Sequence, residues 1–161
     1  VPAPPAAPRQ RSDPHARQAL LPALLRLVDL AVGPLQDELG RRHGLGLSEW
    51  RVLGVLSEHP RITATEIARR AALDKMTVSR ALAALEATGR IVRRPDPDDG
   101  RRALAALTAS GSALSRALSP LTQAREAAVV AGLSQADRGH LHRLVARLIA
   151  ELTDPDPPEP R

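Results

Sequence analysis

The chain has 161 residues, 43% of them hydrophobic, with a net charge of +5 and no cysteine. That length suits one domain or one subunit of an oligomer, and the missing cysteine excludes disulfides, thiolate metal or redox sites and sensing by cysteine oxidation. Aromatic residues make up only 1% (one Trp, no Tyr, no Phe), so the core must come from Leu, Ala, Val and Ile, which favours a mainly α fold.

Residues 1–13 are rich in Pro and polar groups and read as a disordered tail. They lack the charged start and apolar middle of a secretory signal. Asp13 followed by Pro14 has the form of a helix start, an N-cap and then Pro at the first helical position. From about Leu20 to His43, the spacing of Leu24, Leu27, Val28, Leu35 and Leu39 predicts a long helix. Pro22 and Pro34 should break or kink it, because each removes a backbone donor, and Gly44 and Gly46 should end it. LSEWRVLGVLSEHP predicts a second helix, with Ser48 as N-cap, Leu47 stapled onto Val52 and Pro60 closing it. In ITATEIARRAAL, Thr63 and Glu66 have capping-box spacing and Ile62 and Ile67 occupy the staple positions of a short helix ending near Ala72. DKMTVSRALAALEATG begins almost at once, with Asp74 as N-cap, Gly89 as stop, and Val78, Ala81, Leu82 and Leu85 as the buried stripe. Two short helices separated by a few residues form a helix-turn-helix pattern.

RIVRR, PDPDDG and RRALAALT then predict a hairpin. The last of these is Ala- and Leu-rich and is assigned as strand from its context. Thr108 caps a long helix to about Ala131, with a kink expected at Pro120. Ser134 and Asp137 mark the start of a final helix, in which Leu141, Leu144, Val145, Leu148 and Leu152 recur at helical spacing. Residues 154–161, DPDPPEPR, form a second tail of the disordered type. No apolar run approaches the roughly 20 residues that span a bilayer, so a soluble cytoplasmic protein without a membrane partner is expected.

This order is that of a winged helix-turn-helix, with the helix after Asp74 as recognition helix and RRPDPDDGRR as wing. With Val78, Leu82 and Leu85 facing in, Met76, Arg80, Ala83 and Ala87 occupy the opposite face, Thr77 and Ser79 flank it, and Lys75 sits on the first turn. Recognition helices enter the major groove N-terminus first. Arg80 suits bidentate pairing with guanine, worth about 1–3 kcal/mol of discrimination, and Thr77 and Ser79 suit phosphate oxygens. On the wing, Arg101 or Arg102 can reach a narrow minor groove, Arg94 suits a phosphate, and Asp99 suits the task of positioning an arginine. Arg61 to Arg102 contains ten basic and six acidic residues, so the basic balance sits where the motif is. The competing reading is a winged helix that docks protein and binds no DNA.

The segment from about Leu45 to Gly111 resembles the MarR family of bacterial transcription regulators. The resemblance rests on GLGLSEWRVLGVL, TATEIARRAALDKMTVSRALAALEATGRIVRR and DPDDGRRALAALTASG, in which Asp99, Arg101, Leu107 and Thr108 match the family's wing signature. It implies a homodimer, with residues 14–46 and 108–153 as dimerisation helices around a DNA-binding lobe at 47–107. It also implies a pseudo-palindromic double-stranded operator, and repression relieved by a small, often phenolic, anion bound between the dimer helices and the lobe. For a pocket that the family often lines with aromatics, this chain offers only Trp50; either the pocket is aliphatic with an Arg, or there is no such ligand.

No metal, cofactor or enzyme activity is expected. His140 and His142 are two apart on different helix faces, and Glu38 and His43 lie across a helix end, which is poor for chelation. There is no Gly-rich phosphate loop, no nucleophile beside a plausible His, and no paired-carboxylate motif. DPDD lacks the ligand spacing of a calcium site.

Overall fold

A computed structural model describes residues 19–153, so the expected cap at Asp13 and Pro14 and both tails lie outside the described residues. In chain order the elements are α1 (Leu20–His43), α2 (Leu47–Glu58), β1 (Ile62–Thr63), α3 (Ala64–Ala71), α4 (Lys75–Ala87), β2 (Ile91–Pro95), β3 (Ala103–Leu107), α5 (Ala109–Val129) and α6 (Gln135–Thr153). The strands form one antiparallel sheet in the order β1-β3-β2, with Ile62 opposite Ala105 and Arg93 opposite Ala105 on its other side.

Pro34 does not interrupt α1. A proline at 34 cannot donate to the carbonyl of Leu30, one turn earlier, and the guanidinium of Arg125 on α5 supplies the missing donor. Its Nη2 donates to the Leu30 oxygen and its Nε to the Ala31 oxygen at 2.7 Å. Pro22 lies in the first turn, where backbone N–H groups have no intrahelical partner to lose. Pro120 is likewise enclosed within an unbroken α5. α1 ends at Gly44, in the left-handed region at φ 55°, while Gly46 belongs to the next element.

At α2 the start is two residues earlier than Ser48. Gly46 is the N-cap, and the Glu49 carboxylate accepts from its N–H at 2.8 Å. A cap at Ser48 would have placed Arg51 three residues on, with no acceptor to reach back. The staple moves too: buried Leu45 and Trp50, packed against the same core, take the two flanking positions that had been given to Leu47 and Val52.

α3 starts as expected. The Thr63 hydroxyl accepts from the Glu66 N–H, and the Glu66 carboxylate accepts from the Thr63 N–H at 2.9 Å and from its hydroxyl at 2.8 Å. Ile62 and Thr63 add a short strand, β1, that periodicity over two residues could not reveal. At α4, the Asp74 carboxylate accepts from the Thr77 N–H at 2.8 Å. Leu39, Leu45, Leu53, Leu56, Ile67, Val78, Leu82 and Leu85 are almost fully buried and form the centre of the core, to which Ile91, Ala105 and Leu118 add.

The root of the wing is closed by backbone. The Arg90 carbonyl accepts from the Thr108 N–H at 3.0 Å, and the Thr108 hydroxyl donates to the Gly89 carbonyl at 2.7 Å. Gly111, on the first turn of α5, packs so tightly here that a Cβ would lie 1.9 Å from the Arg90 carbonyl oxygen. The Arg90 guanidinium in turn donates to the His43 carbonyl at 2.8 Å, tying the end of α1 to the wing.

Candidate nucleic-acid interface

α4 buries Val78, Ala81, Leu82 and Leu85 and leaves Lys75, Met76, Ser79, Arg80, Ala83 and Ala87 exposed. Met76 is 64% exposed, a large apolar side chain on an otherwise polar turn. Thr77 is half-buried, and its hydroxyl donates to the Asp74 carboxylate, so it serves the cap before any phosphate. These two hydrogen bonds hold the Asp74 carboxyl below the usual range, the hydroxyl of Thr77 contributing most and its N–H next. The first turn of α4 is thereby fixed before any ligand arrives.

The wing tip is organised by its aspartates. Asp99 accepts from the Arg101 N–H at 3.1 Å and pairs with the Arg102 guanidinium at 3.0 Å. Asp96 accepts from the Asp98 N–H at 3.1 Å. The backbone of Asp96 and Arg102 closes the loop at 2.9 Å. Acidic groups on a basic turn thus act as local turn formers, and the arginine held by Asp99 is Arg102. Arg101 makes no side-chain hydrogen bond or ion pair among the described residues and is exposed.

An open cleft of about 810 Å³ joins the elements. It is bordered by the N-terminus of α3 (Thr63 to Glu66), by Leu82 of α4, and by Arg93, Arg101 and Arg102 of the wing. Arg94 does not share it. It lines a separate groove with Arg61, Val92 and Leu104 on the opposite side of the sheet. The strand residue on the cleft side is Arg93, which sequence reasoning passed over. The signal was available: β2 alternates, Ile91 is buried, and the residue two along must share its side.

Trp50 lies elsewhere, half-buried at a cavity of about 660 Å³ between α2, α3, α5 and α6. Arg51, Arg69 and Arg70 share its lining with Leu118 and Ile149. The Arg51 guanidinium donates to the carbonyls of Ala71 and Ala72, at the turn leading into α4. Ala72 itself adopts a left-handed φ of 47°. No group of three or more His, Asp or Glu that could hold a metal occurs among the described residues, and no helix among them is long and apolar enough to cross a membrane.

The MarR family model matches residues 43–102, the helix-turn-helix and wing just described. An HTH-type transcriptional repressor of Mycobacterium tuberculosis is 31% identical over 121 residues, covering 75% of this chain and 81% of that protein. The chain belongs to the MarR family. A MarR-family transcriptional regulator of Silicibacter pomeroyi superposes with a TM-score of 0.73 at 25% identity, over 82% of this chain and 89% of its own. Bordetella bronchiseptica BpsR, whose DNA binding is regulated by 6-hydroxynicotinic acid, shares the fold with a TM-score of 0.75 at 23% identity, over 81% and 93% of the two chains. The chain is therefore a winged helix-turn-helix regulator that binds double-stranded DNA, and membership of a family of transcription regulators leaves the protein-docking reading without support.

Proposed function

We propose that this MarR-family chain is a cytoplasmic, homodimeric repressor that grips a pseudo-palindromic operator with two copies of α4 and two wings. Lys75, Met76, Ser79 and Arg80 meet the major groove, with Thr77 holding the turn that presents them. Arg101 reaches the minor groove, Arg102 is aimed by Asp99, and Arg94 meets a phosphate only if DNA wraps to the far side of the wing. Residues 14–46 and 108–153 form the dimer arms. The observation that carries the reading is the exposed first half of α4, on a helix whose Leu82 borders the cleft that also takes in the wing arginines. Electrostatics supports it, since Arg61 to Arg102 hold most of the chain's net positive charge.

Relief of repression follows from the second cavity. A small organic anion beside Trp50 would compete for Arg51, the side chain that satisfies the carbonyls of the α3–α4 turn. Losing that donor loosens the seat of the recognition helix. The kinship with a regulator that responds to a hydroxylated pyridine carboxylate supports an anion of this kind.

The test is selection of duplexes from a random pool by the purified protein, followed by anisotropy titration at two salt concentrations. Wild type should select an inverted repeat and bind it less tightly as salt rises. Arg80→Ala should relax base preference at one position per half-site, whereas Arg101→Ala should weaken all sequences alike. Recovery of no preferred sequence, or an Arg80→Ala protein with unchanged selectivity, refutes the assignment.

A further inference from the structure

A second link joins the recognition helix to the wing besides the chain itself. Glu86 lies on the last turn of α4, and Arg93 lies seven residues later in the middle of β2. The Arg93 Nε donates to the Glu86 carboxylate at 2.9 Å, and Nη2 donates to the same oxygen. The pairing holds the Glu86 carboxyl below its usual range and raises Arg93 above its own, the shared hydrogen bond being the main cause in each. Both side chains are about two-fifths exposed, so the bridge adds little to global stability.

Its value lies in what it spans. β2 is an edge strand, and among the described residues no hydrogen bond or ion pair joins the wing beyond Pro95 to the lobe apart from the chain through β2 and β3. Such a hairpin can tilt about its root. A helix in the major groove and a wing in the neighbouring minor groove must keep a fixed separation to bind one duplex together. Arg93 is the arginine on the cleft side of β2, yet its charge is already answered by Glu86 rather than left free for phosphate.

The geometry points to Glu86 and Arg93 as positioning residues for DNA recognition: the pair sets the angle between recognition helix and wing, and Arg93 acts through Glu86 instead of touching DNA. This rests on the DNA-binding surface proposed above. It departs from simple electrostatics in sign. Removing an acidic group beside a DNA-binding surface should tighten binding if charge alone matters, whereas losing the link should weaken it.

The experiment uses the full chain and a duplex selected from a random pool by the wild-type protein. Glu86→Ala and Arg93→Gln are each expected to lower affinity about fivefold to tenfold, with the slope of log affinity against log salt unchanged. Hydroxyl-radical footprints should lose the wing's minor-groove protection and keep protection at the recognition helix. The exchanged pair E86R/R93E should regain most of the affinity, which separates positioning from a folding defect. Tighter binding by Glu86→Ala overturns the proposal. So does a slope reduced by about 0.9 in Arg93→Gln, the mark of one lost phosphate contact. Failure of the wild type to select any duplex would sink the DNA-binding surface itself, a different result from selection followed by either of these.

Discussion

The lobe formed by α2 to β3 and the helical arms α1 and α6 solve the burial of leucine in opposite ways. In the lobe, Leu53, Leu56, Leu82 and Leu85 are almost fully hidden by neighbours from the same chain. In α6 no residue is buried, and Leu141, Leu144, Val145, Leu148, Ile149 and Leu152 are all exposed, Leu152 by 82%. The first half of α1 repeats this with Leu20, Leu21, Leu24, Leu25, Leu27 and Val28. One region is complete within one chain; the other presents two apolar stripes that no other described residues cover. Patches of that extent on a soluble protein mark an interface, and regulators of this family act as dimers. The DNA-binding lobe is thus completed locally, whereas the apolar faces of the arms are left uncovered by it.

The largest effect should come from the arms. Leu144→Asp together with Leu148→Asp is expected to leave a folded lobe by circular dichroism but a monomer by sedimentation. Operator affinity should fall by about a hundredfold or more, because the second half-site no longer binds as an intramolecular event. A dimer surviving both changes would assign the stripes to another partner. Gly111→Ala attacks the lobe instead. Its Cβ would collide with the backbone of Arg90, which cannot move without opening the wing root. A stability loss of about 3 kcal/mol in urea titration is expected, while any protein that remains folded stays dimeric.

Much of the lobe was legible in the sequence because its signals are local. Thr63 and Glu66, Asp74, and the Val78–Leu82–Leu85 stripe each act within one or two helical turns. Errors arose where the deciding partner was distant or absent from the reading. Of the break or kink expected at Pro34, the break does not occur, and its remedy, Arg125, is 91 positions along the chain. Arg93 was passed over because charge was read without strand alternation, and Glu86 was given no role because its partner lies on another element. The cap of α2 was misplaced because Ser is a better cap than Gly on propensity, whereas the reach of Glu49 decided it.

A smaller effect tests that distant remedy. Arg125→Ala should destabilise the chain by about 1 kcal/mol by leaving the Leu30 carbonyl without its donor. In a Pro34→Ala background, residue 34 regains an N–H for that carbonyl, and the same Arg125→Ala change should cost markedly less. Equal costs in both backgrounds, measured by urea unfolding, would mean that Arg125 serves only to join α5 to α1.

The smallest expected effect distinguishes lobe from arms by acid. Glu66 is held below its ordinary value of 4.5 chiefly by hydrogen bonds from the N–H and hydroxyl of Thr63. Asp74 lies below its ordinary 3.8 through Thr77, and Glu86 below 4.5 through Arg93. A carboxyl with a depressed folded value stabilises the fold fully above its ordinary value and loses that contribution as pH falls through the lowered one. All three are in the lobe, so its stability should decline below about pH 4.5 as each is protonated, modestly because each group is in contact with solvent. Thr63→Ala should lower stability by about 1 kcal/mol at neutral pH, the usual worth of a cap. It should also flatten the acid decline, because Glu66 loses the donors that made its ionised form special. If urea midpoints of wild type and Thr63→Ala instead run parallel from pH 7 to pH 3, the Thr63–Glu66 reciprocity contributes nothing to folding, and α3 is held in place by Ile67 and its neighbours in the core alone.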